Sequence, residues 1–250
     1  LTFNRSEALQ RANWSRRRRW HLDYIDALIK RDVRDIAQVS RLGQLARLLR
    51  VLAEHSGQLI NYSALGAALG MNHVTCQKYI GVFEQLYLIQ PLDPWFSNRI
   101  SRLIKTPKLH FLDSGLLAAV RNLSPDRIRA ERTLFGPLLE TFVLAEVIKL
   151  ISSSDENYQL FHFRDKERNE VDIVIEDDQG RVVGIEVKAA ATVTAADFNG
   201  LRKLAGAAGE NFAAGLVLYD HDQTLSFGER LWAVPVSSLW AGKPHEASPN

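Results

Sequence analysis

Cysteine is almost absent from this 250-residue chain: Cys76 stands alone. One thiol can build neither an internal disulfide nor a cysteine-rich zinc module, and it suits a reducing, cytoplasmic setting. Long apolar runs are also missing. None reaches the roughly 20 residues that span a bilayer, and no signal-peptide pattern opens the chain, so no membrane partner is expected. A GxxxxGK[ST] phosphate loop is absent too. This chain alone is therefore not expected to hydrolyse ATP. It opens on Leu1 rather than Met, as a piece of a longer protein would.

What is present is a sizeable apolar fraction, 46% of residues, enough to bury one large core or two small ones. The net charge of +2 conceals an asymmetry. Residues 1–130 carry 20 Lys/Arg against 10 Asp/Glu, and residues 131–250 carry 11 against 19. The halves thus stand at +10 and −8. A basic half suits a polyanion; an acidic half does so only with divalent cations on it.

Residues 1–40 read as a basic helical segment. Its block "RRRRW" offers Arg16, Arg17, Arg18 and Arg19 either as a solvated helix face or as phosphate contacts. Residues 41–98 read as an all-α winged helix-turn-helix domain. "RLGQLARLLRVLAEH" carries a stripe of Leu42, Leu45, Leu48, Leu49 and Leu52. "NYSALGAALG" takes Ser63 as its cap. "MNHVTCQKYIGVFEQLYLI" follows, with Val74, Tyr79, Ile80, Phe83 and Leu86 inward and His73, Thr75, Gln77 and Lys78 outward. One lysine is a poor face for reading DNA, so packing or protein contact is an equal reading. Arg99, Arg102, Lys105 and Lys108 add charge nearby. Residues 106–242 read as an α/β domain: a strand into a helix at 108–121, a buried helix at 133–151, three strands at 158–164, 171–176 and 181–189, a small-residue helix at 195–208 and a strand at 213–220. That order implies a mixed sheet flanked by helices. Residues 243–250 read as a disordered tail.

The stretch "NEVDIVIEDDQGRVVGIEVK" at 169–188 holds charges inside apolar runs. With Asp178-Gln179-Gly180 as a three-residue loop and Gly180 left-handed, Asp177 pairs with Arg181. Counting back puts Asp172 opposite Glu186, with Lys188 on the same face and Gly184 leaving room above. Side chains facing each other in this way have Cβ atoms about 4.5–5.5 Å apart, and like charges there repel. Two readings follow: a solvated charge cluster, or a Mg²⁺ or Mn²⁺ site in which Lys188 stabilises charge on a phosphodiester.

These residues resemble the PD-(D/E)xK nuclease superfamily, whose core runs helix, three strands, helix, strand. The resemblance implies a restriction-endonuclease-like fold with Glu140 in "FGPLLETFV", Asp172 and Glu186 as metal ligands, and Asp172, Glu186 and Lys188 as the catalytic set. Glu146 on the same helix competes with Glu140 for the inward position. Arg164 in "FHFRDKERNEVD" ends the preceding strand, where it is either a phosphate contact or a surface residue. A wider resemblance takes in "YIDALIKRDVRDI", "PKLHFLDSGLLAAV", "FGPLLETFV", "RDKERNEVDIVI" and "GIEVKAA". Together they are similar to the C-terminal region of a prokaryotic AAA-type ATPase family. In that family a P-loop domain precedes a nuclease-like domain of unknown function. It implies ATP only through an N-terminal ATPase domain outside this chain, which would be the module's partner.

The expected function is metal-dependent binding or cleavage of DNA. The alternative is a non-catalytic nucleic-acid or protein interaction module that serves the ATPase. A third reading is a dimerisation region that uses Trp14, Trp20 and Trp95, giving a homo-oligomer.

Overall fold

The computed structural model describes residues 8, 10–36, 42–97 and 106–240. Arg99, Arg102 and Lys105, and the expected tail at 243–250, lie outside them. The chain divides into two units, Leu1–Ala145 and Glu146–Asn250. Both α and β elements are present, with a large mixed sheet in the second unit.

The first unit begins with α1 (Trp14–Ile36) and α2 (Leu42–Glu54). The leucine stripe of α2 behaves as its spacing requires: Leu45, Leu48, Leu49 and Leu52 are fully buried. Gly57 follows in the left-handed region, φ 81°, and leads into the short strand β1 (Gln58–Leu59). Helix α3 (Tyr62–Ala68) starts one residue before the expected serine cap. Asn61 caps it instead, accepting the Ala64 N–H at 2.9 Å. Asn72 caps α4 (His73–Gln85) in the same way through Thr75, at 2.8 Å. Each cap contributes roughly 1 kcal/mol. The turn between them is tight enough that a Cβ on Gly66 would come 2.7 Å from the Met71 carbonyl oxygen.

On α4, Tyr79, Ile80 and Phe83 are buried as expected. Val74 is not: it is 62% exposed, while Thr75 is half-buried. Buried Cys76 and Tyr79 bracket the inward stripe, which leaves His73, Val74, Gln77 and Lys78 on the open side. Strands β2 (Ile89–Pro94) and β3 (Lys108–Phe111) form an antiparallel sheet with β1 in the order β1-β3-β2, so the segment expected to be all-α carries strands, which pair with the 108–111 strand beyond it. Helices α5 (Ser114–Val120) and α6 (Pro125–Ala130) follow, capped by Asp113 and Ser124. Helix α7 (Phe135–Ser152) runs across the boundary into the second unit. Its apolar content leaves its periodicity uninformative, and it carries both Glu140 and Glu146.

The second unit is built on strands β4 (Tyr158–Arg164), β5 (Glu170–Asp177), β6 (Val182–Lys188), β7 (Phe212–Tyr219), β8 (Leu225–Gly228) and β9 (Leu231–Pro235). Their order is β4-β5-β6-β7-β9-β8. The β6–β7 and β7–β9 pairs are parallel and the rest antiparallel. A short 3₁₀ turn, Ala195–Phe198, leads into α8 (Asn199–Ala208). Leu201 and Leu204 of α8 are fully buried, whereas Arg202, Lys203 and Gly206 face solvent.

Helix α8 lies so close to β5 that a Cβ on Gly200 would overlap the Glu170 carbonyl oxygen and stand 2.8 Å from its carbon. Glycine is needed there because any side chain would drive the helix off the strand. Gly184 has a similar role. A Cβ on it would come 2.7 Å from both Leu201 and Leu204. The space expected above Gly184 is therefore filled by α8, and the face that carries the charges is largely covered: Val174 and Val182 are fully buried. No described helix is long and apolar enough to cross a membrane.

Candidate functional site

The β5–β6 hairpin has the register that its loop dictates. Ile173 pairs with Ile185, Val174 with Gly184, Ile175 with Val183 and Glu176 with Val182. Gly180 is left-handed at φ 80°. The Asp177 carboxylate fastens the turn, accepting the Gln179 N–H at 2.9 Å, the Arg181 N–H at 2.8 Å and the Arg181 Nε–H at 2.6 Å. One further step of the same count sets Asp172 across from Glu186.

The ladder itself stops short of that step, and the cause lies on the other side of β5. Phe161 pairs with Val174, but Phe163 pairs with Val171. Two β5 residues, Asp172 and Ile173, therefore stand against one β4 residue, His162. This is a β-bulge, and bulges re-aim side chains. Asp172 is re-aimed along the strand edge: its Oδ2 accepts the Val187 N–H at 3.0 Å. An acid takes over a ladder position that a backbone carbonyl would otherwise fill. Asp172 is 9% exposed and Glu186 half-buried.

Lys188 closes the group. Its Nζ lies 3.0 Å from Asp197 Oδ1 in the 3₁₀ turn before α8. Asp197 also accepts the Thr194 N–H at 2.8 Å and the Thr194 hydroxyl at 3.0 Å, forming a capping box. Burial pulls the Lys188 ammonium down, but the Asp197 hydrogen bond and charge, with the charges of Glu186 and Asp172, outweigh it and raise its pKa. Burial pushes Asp197 up, and the Thr194 and Lys188 bonds more than reverse that, so it is lowered. Lys188 is thus a cation held in place by Asp197. Asp197 is the partner of Lys188 that sequence reasoning missed. The only signal for it was the T-x-x-D spacing at 194–197, which reads as a cap.

Glu140 belongs to the first unit. Its Oε1 lies 3.4 Å from Lys108 Nζ and 3.7 Å from His110 Nε2, both side chains buried. Gly57 makes room for it, since a Cβ there would stand 2.9 Å from Glu140 Oε2. Next to it, Thr141 and Ser56 hydroxyls bond at 3.1 Å. Lys108 and His110 sit in "KLHF", which in the sequence shows only as a strand. Glu146 is paired with Lys149 and accepts the Trp240 indole N–H at 3.1 Å.

Among the described residues no set of three or more His, Cys, Asp or Glu side chains is grouped to hold a metal ion. The set in the second unit is two carboxylates and a lysine.

Arg164 is tied to Glu170 across the neck of its hairpin at 2.7 Å. Lys78 is exposed on α4. The four-arginine block divides. Arg17 Nε donates to the Arg11 carbonyl at 3.0 Å, and Arg18 Nε to the Ala119 carbonyl at 3.0 Å. Arg19 pairs with Asp23 at 3.9 Å, and Arg16 is exposed. Two of the four are engaged with backbone. Trp20 stacks on Tyr24 at 5.8 Å and Trp95 is buried, which removes Trp95 from any exposed interface.

Residues 7–127 match one family model, "Domain of unknown function (DUF8612)", and residues 135–239 match another, "Domain of unknown function (DUF4143)". The chain is similar to an uncharacterized protein of Mycobacterium bovis and to one of Mycobacterium tuberculosis. Each is 27% identical over 174 residues, 69% of this chain. The match spans 38% of each relative's own length. No solved structure matches.

Proposed function

We propose that the second unit is a PD-(D/E)xK-like module that binds a divalent cation and acts on DNA phosphodiesters, and that the first unit is a winged helix. The observation that carries this reading is the bulge at Asp172. It aims one carboxylate along the strand edge, onto the Val187 N–H, beside Glu186 and within the field of Lys188. Helix, three strands, helix and strand in that order agree with such a core.

Mg²⁺ and Mn²⁺ take hard oxygen ligands, and Mg²⁺ is commonly held by one or two carboxylates with waters and phosphate oxygens completing the shell. Asp172 and Glu186 fit that demand. Glu140, beside Lys108 and His110, is not required by it. Bound there, the cation supplies positive charge to a phosphodiester. Lys188, kept protonated by Asp197, adds a charge-assisted donor toward a phosphate oxygen. The cover of α8 over Val174 and Gly184 excludes water from one side of the site. DUF4143 regions commonly accompany AAA-type ATPases, and an ATPase domain beyond this chain is the proposed partner.

A plasmid-nicking assay tests the reading. Wild type with Mn²⁺ or Mg²⁺ converts supercoiled to open circular DNA, and Asp172→Asn does not. Nicking that survives Asp172→Asn, or absence of nicking by wild type, removes the catalytic claim. A second reading has its own support: Lys188 is already neutralised by Asp197 at 3.0 Å. It makes the module a non-catalytic nucleic-acid or protein platform, and it predicts binding without cleavage.

A further inference from the structure

The turn joining β4 and β5 is built with unusual care for an exposed loop. Asp165 and Asn169 clasp each other across it. The Asp165 N–H donates to the Asn169 carbonyl at 3.0 Å, the Asn169 N–H to Asp165 Oδ1 at 2.8 Å and the Asn169 amide to Asp165 Oδ2 at 2.7 Å. Arg168 sits at φ 67°, a left-handed conformation that a residue with a side chain adopts only at a cost. Its N–H returns to the Asp165 carbonyl at 3.3 Å. Such strain persists where the surroundings over-determine it, and it clusters at ligand clamps.

The acids of this segment are all engaged. Asp165 is in the clasp, Glu170 is on Arg164 at 2.7 Å and Glu167 faces Lys203 of α8 at 3.9 Å. Two cations remain, Lys166 and Arg168. Both are exposed, and neither side chain has a hydrogen-bond or ion-pair partner among the described residues. Arg168 is four residues from Asp172. Arg168 lies in the turn, two residues before β5 begins at Glu170, so four residues at about 3.3 Å each put its backbone at most roughly 13 Å from that of Asp172. With about 3.4 Å of rise per nucleotide on one strand, that limit corresponds to no more than roughly four nucleotides.

We infer that the 165–169 turn is a fixed phosphate clamp: Lys166 and Arg168 hold the DNA backbone within about four nucleotides of the phosphodiester presented to Asp172 and Glu186. This rests on the proposed action on DNA and adds the substrate contact to it. Arginine suits the task because its planar fork meets two phosphate oxygens at once. The bonded turn spends the ordering entropy before substrate arrives.

Fluorescence anisotropy with a labelled 20-base-pair duplex, titrated from low to high salt, tests the clamp. The variants are Lys166→Gln/Arg168→Gln and, as control, Arg181→Gln in the β5–β6 turn. Each lost phosphate contact lowers the slope of log affinity against log salt by about 0.9 on a duplex and about 0.7 on a single strand. The double variant should lose about 1.8 on duplex DNA or about 1.4 on the matching single strand, and the control should lose nothing. Calorimetry with Mn²⁺ alone on the same proteins separates the two claims. The clamp stands if the slope falls while Mn²⁺ binding is unchanged, whether or not cleavage is seen. An unchanged slope overturns it, and so does a wild type that binds Mn²⁺ but no DNA. Fluorescein-labelled anionic dextran is the last arm: equal loss of binding to it would show a nonspecific cation pair and overturn the clamp.

Discussion

Helix α8 carries two glycines whose substitution by alanine should have opposite effects. Gly206 has no atom within 4 Å of the position a Cβ would take. Replacing glycine by alanine in a helix gains up to about 1 kcal/mol through lost unfolded-state freedom. Gly206→Ala should therefore stabilise the second unit, raising its melting temperature by about 4 °C. Gly200→Ala receives the same intrinsic gain, but its Cβ would overlap the Glu170 backbone carbonyl. Overpacking costs about 1–3 kcal/mol, and a strand backbone cannot swing aside as a side chain can. At the upper end of that range, which an overlap with backbone calls for, the net expectation is a loss of about 2 kcal/mol, or a fall of about 8 °C. Gly184→Ala meets only the ends of Leu201 and Leu204 at 2.7 Å and should lie between the two. Thermal and urea unfolding followed by far-ultraviolet circular dichroism gives the ranking. If Gly200→Ala stabilises as Gly206→Ala does, α8 does not lie on β5, and the placement of Asp197 next to Lys188 fails with it.

Two further outcomes follow from titration. Lys188 is raised, so its contribution holds below the ordinary lysine value near 10.4 and is lost as pH rises through its folded value. Asp197 is lowered, so its contribution holds above the ordinary aspartate value near 3.9 and is lost as pH falls through its folded value. Asp197→Asn should shift the Lys188 midpoint downward in ¹³C-lysine spectra, and an unmoved midpoint would contradict the clasp. In the first unit, burial lowers the pKa of His21 more than the Asp113 charge raises it. Below about pH 6.5 the unfolded chain takes up that proton first, so stability is lost as pH falls toward the folded value. Urea midpoints at pH 7.5 and 5.5 should differ less in His21→Phe than in wild type; an equal difference would remove His21 as the cause.

How far the sequence foretold this structure differs from element to element, for physical reasons. The hairpin register was legible because loop length and strand parity leave no slack once Gly180 takes the left-handed position. The bulge at Asp172 was not: no glycine or proline marks it, and it arises from pairing with β4, a partner that sequence alone does not align. From sequence, Gly184 reads as open space because a missing Cβ looks the same whether solvent or a helix lies above it. Only the contacts with Leu201 and Leu204 decide. Strand β1 is two residues long, too short for a period-two pattern. Helix α7 is apolar on nearly every face, so periodicity could not choose between Glu140 and Glu146. Asp197, nine residues beyond Lys188, became its partner through a 3₁₀ turn that looked like an ordinary cap.

The central claim is that Asp172 and Glu186 hold a divalent cation. Isothermal titration of Mn²⁺ into wild type, Asp172→Asn and Glu186→Gln tests it most directly, with circular dichroism to show that the three proteins are equally folded. The account predicts a saturable heat in wild type that is lost or weakened at least tenfold in both variants. No saturable heat in wild type, or the same heat in all three, would contradict it.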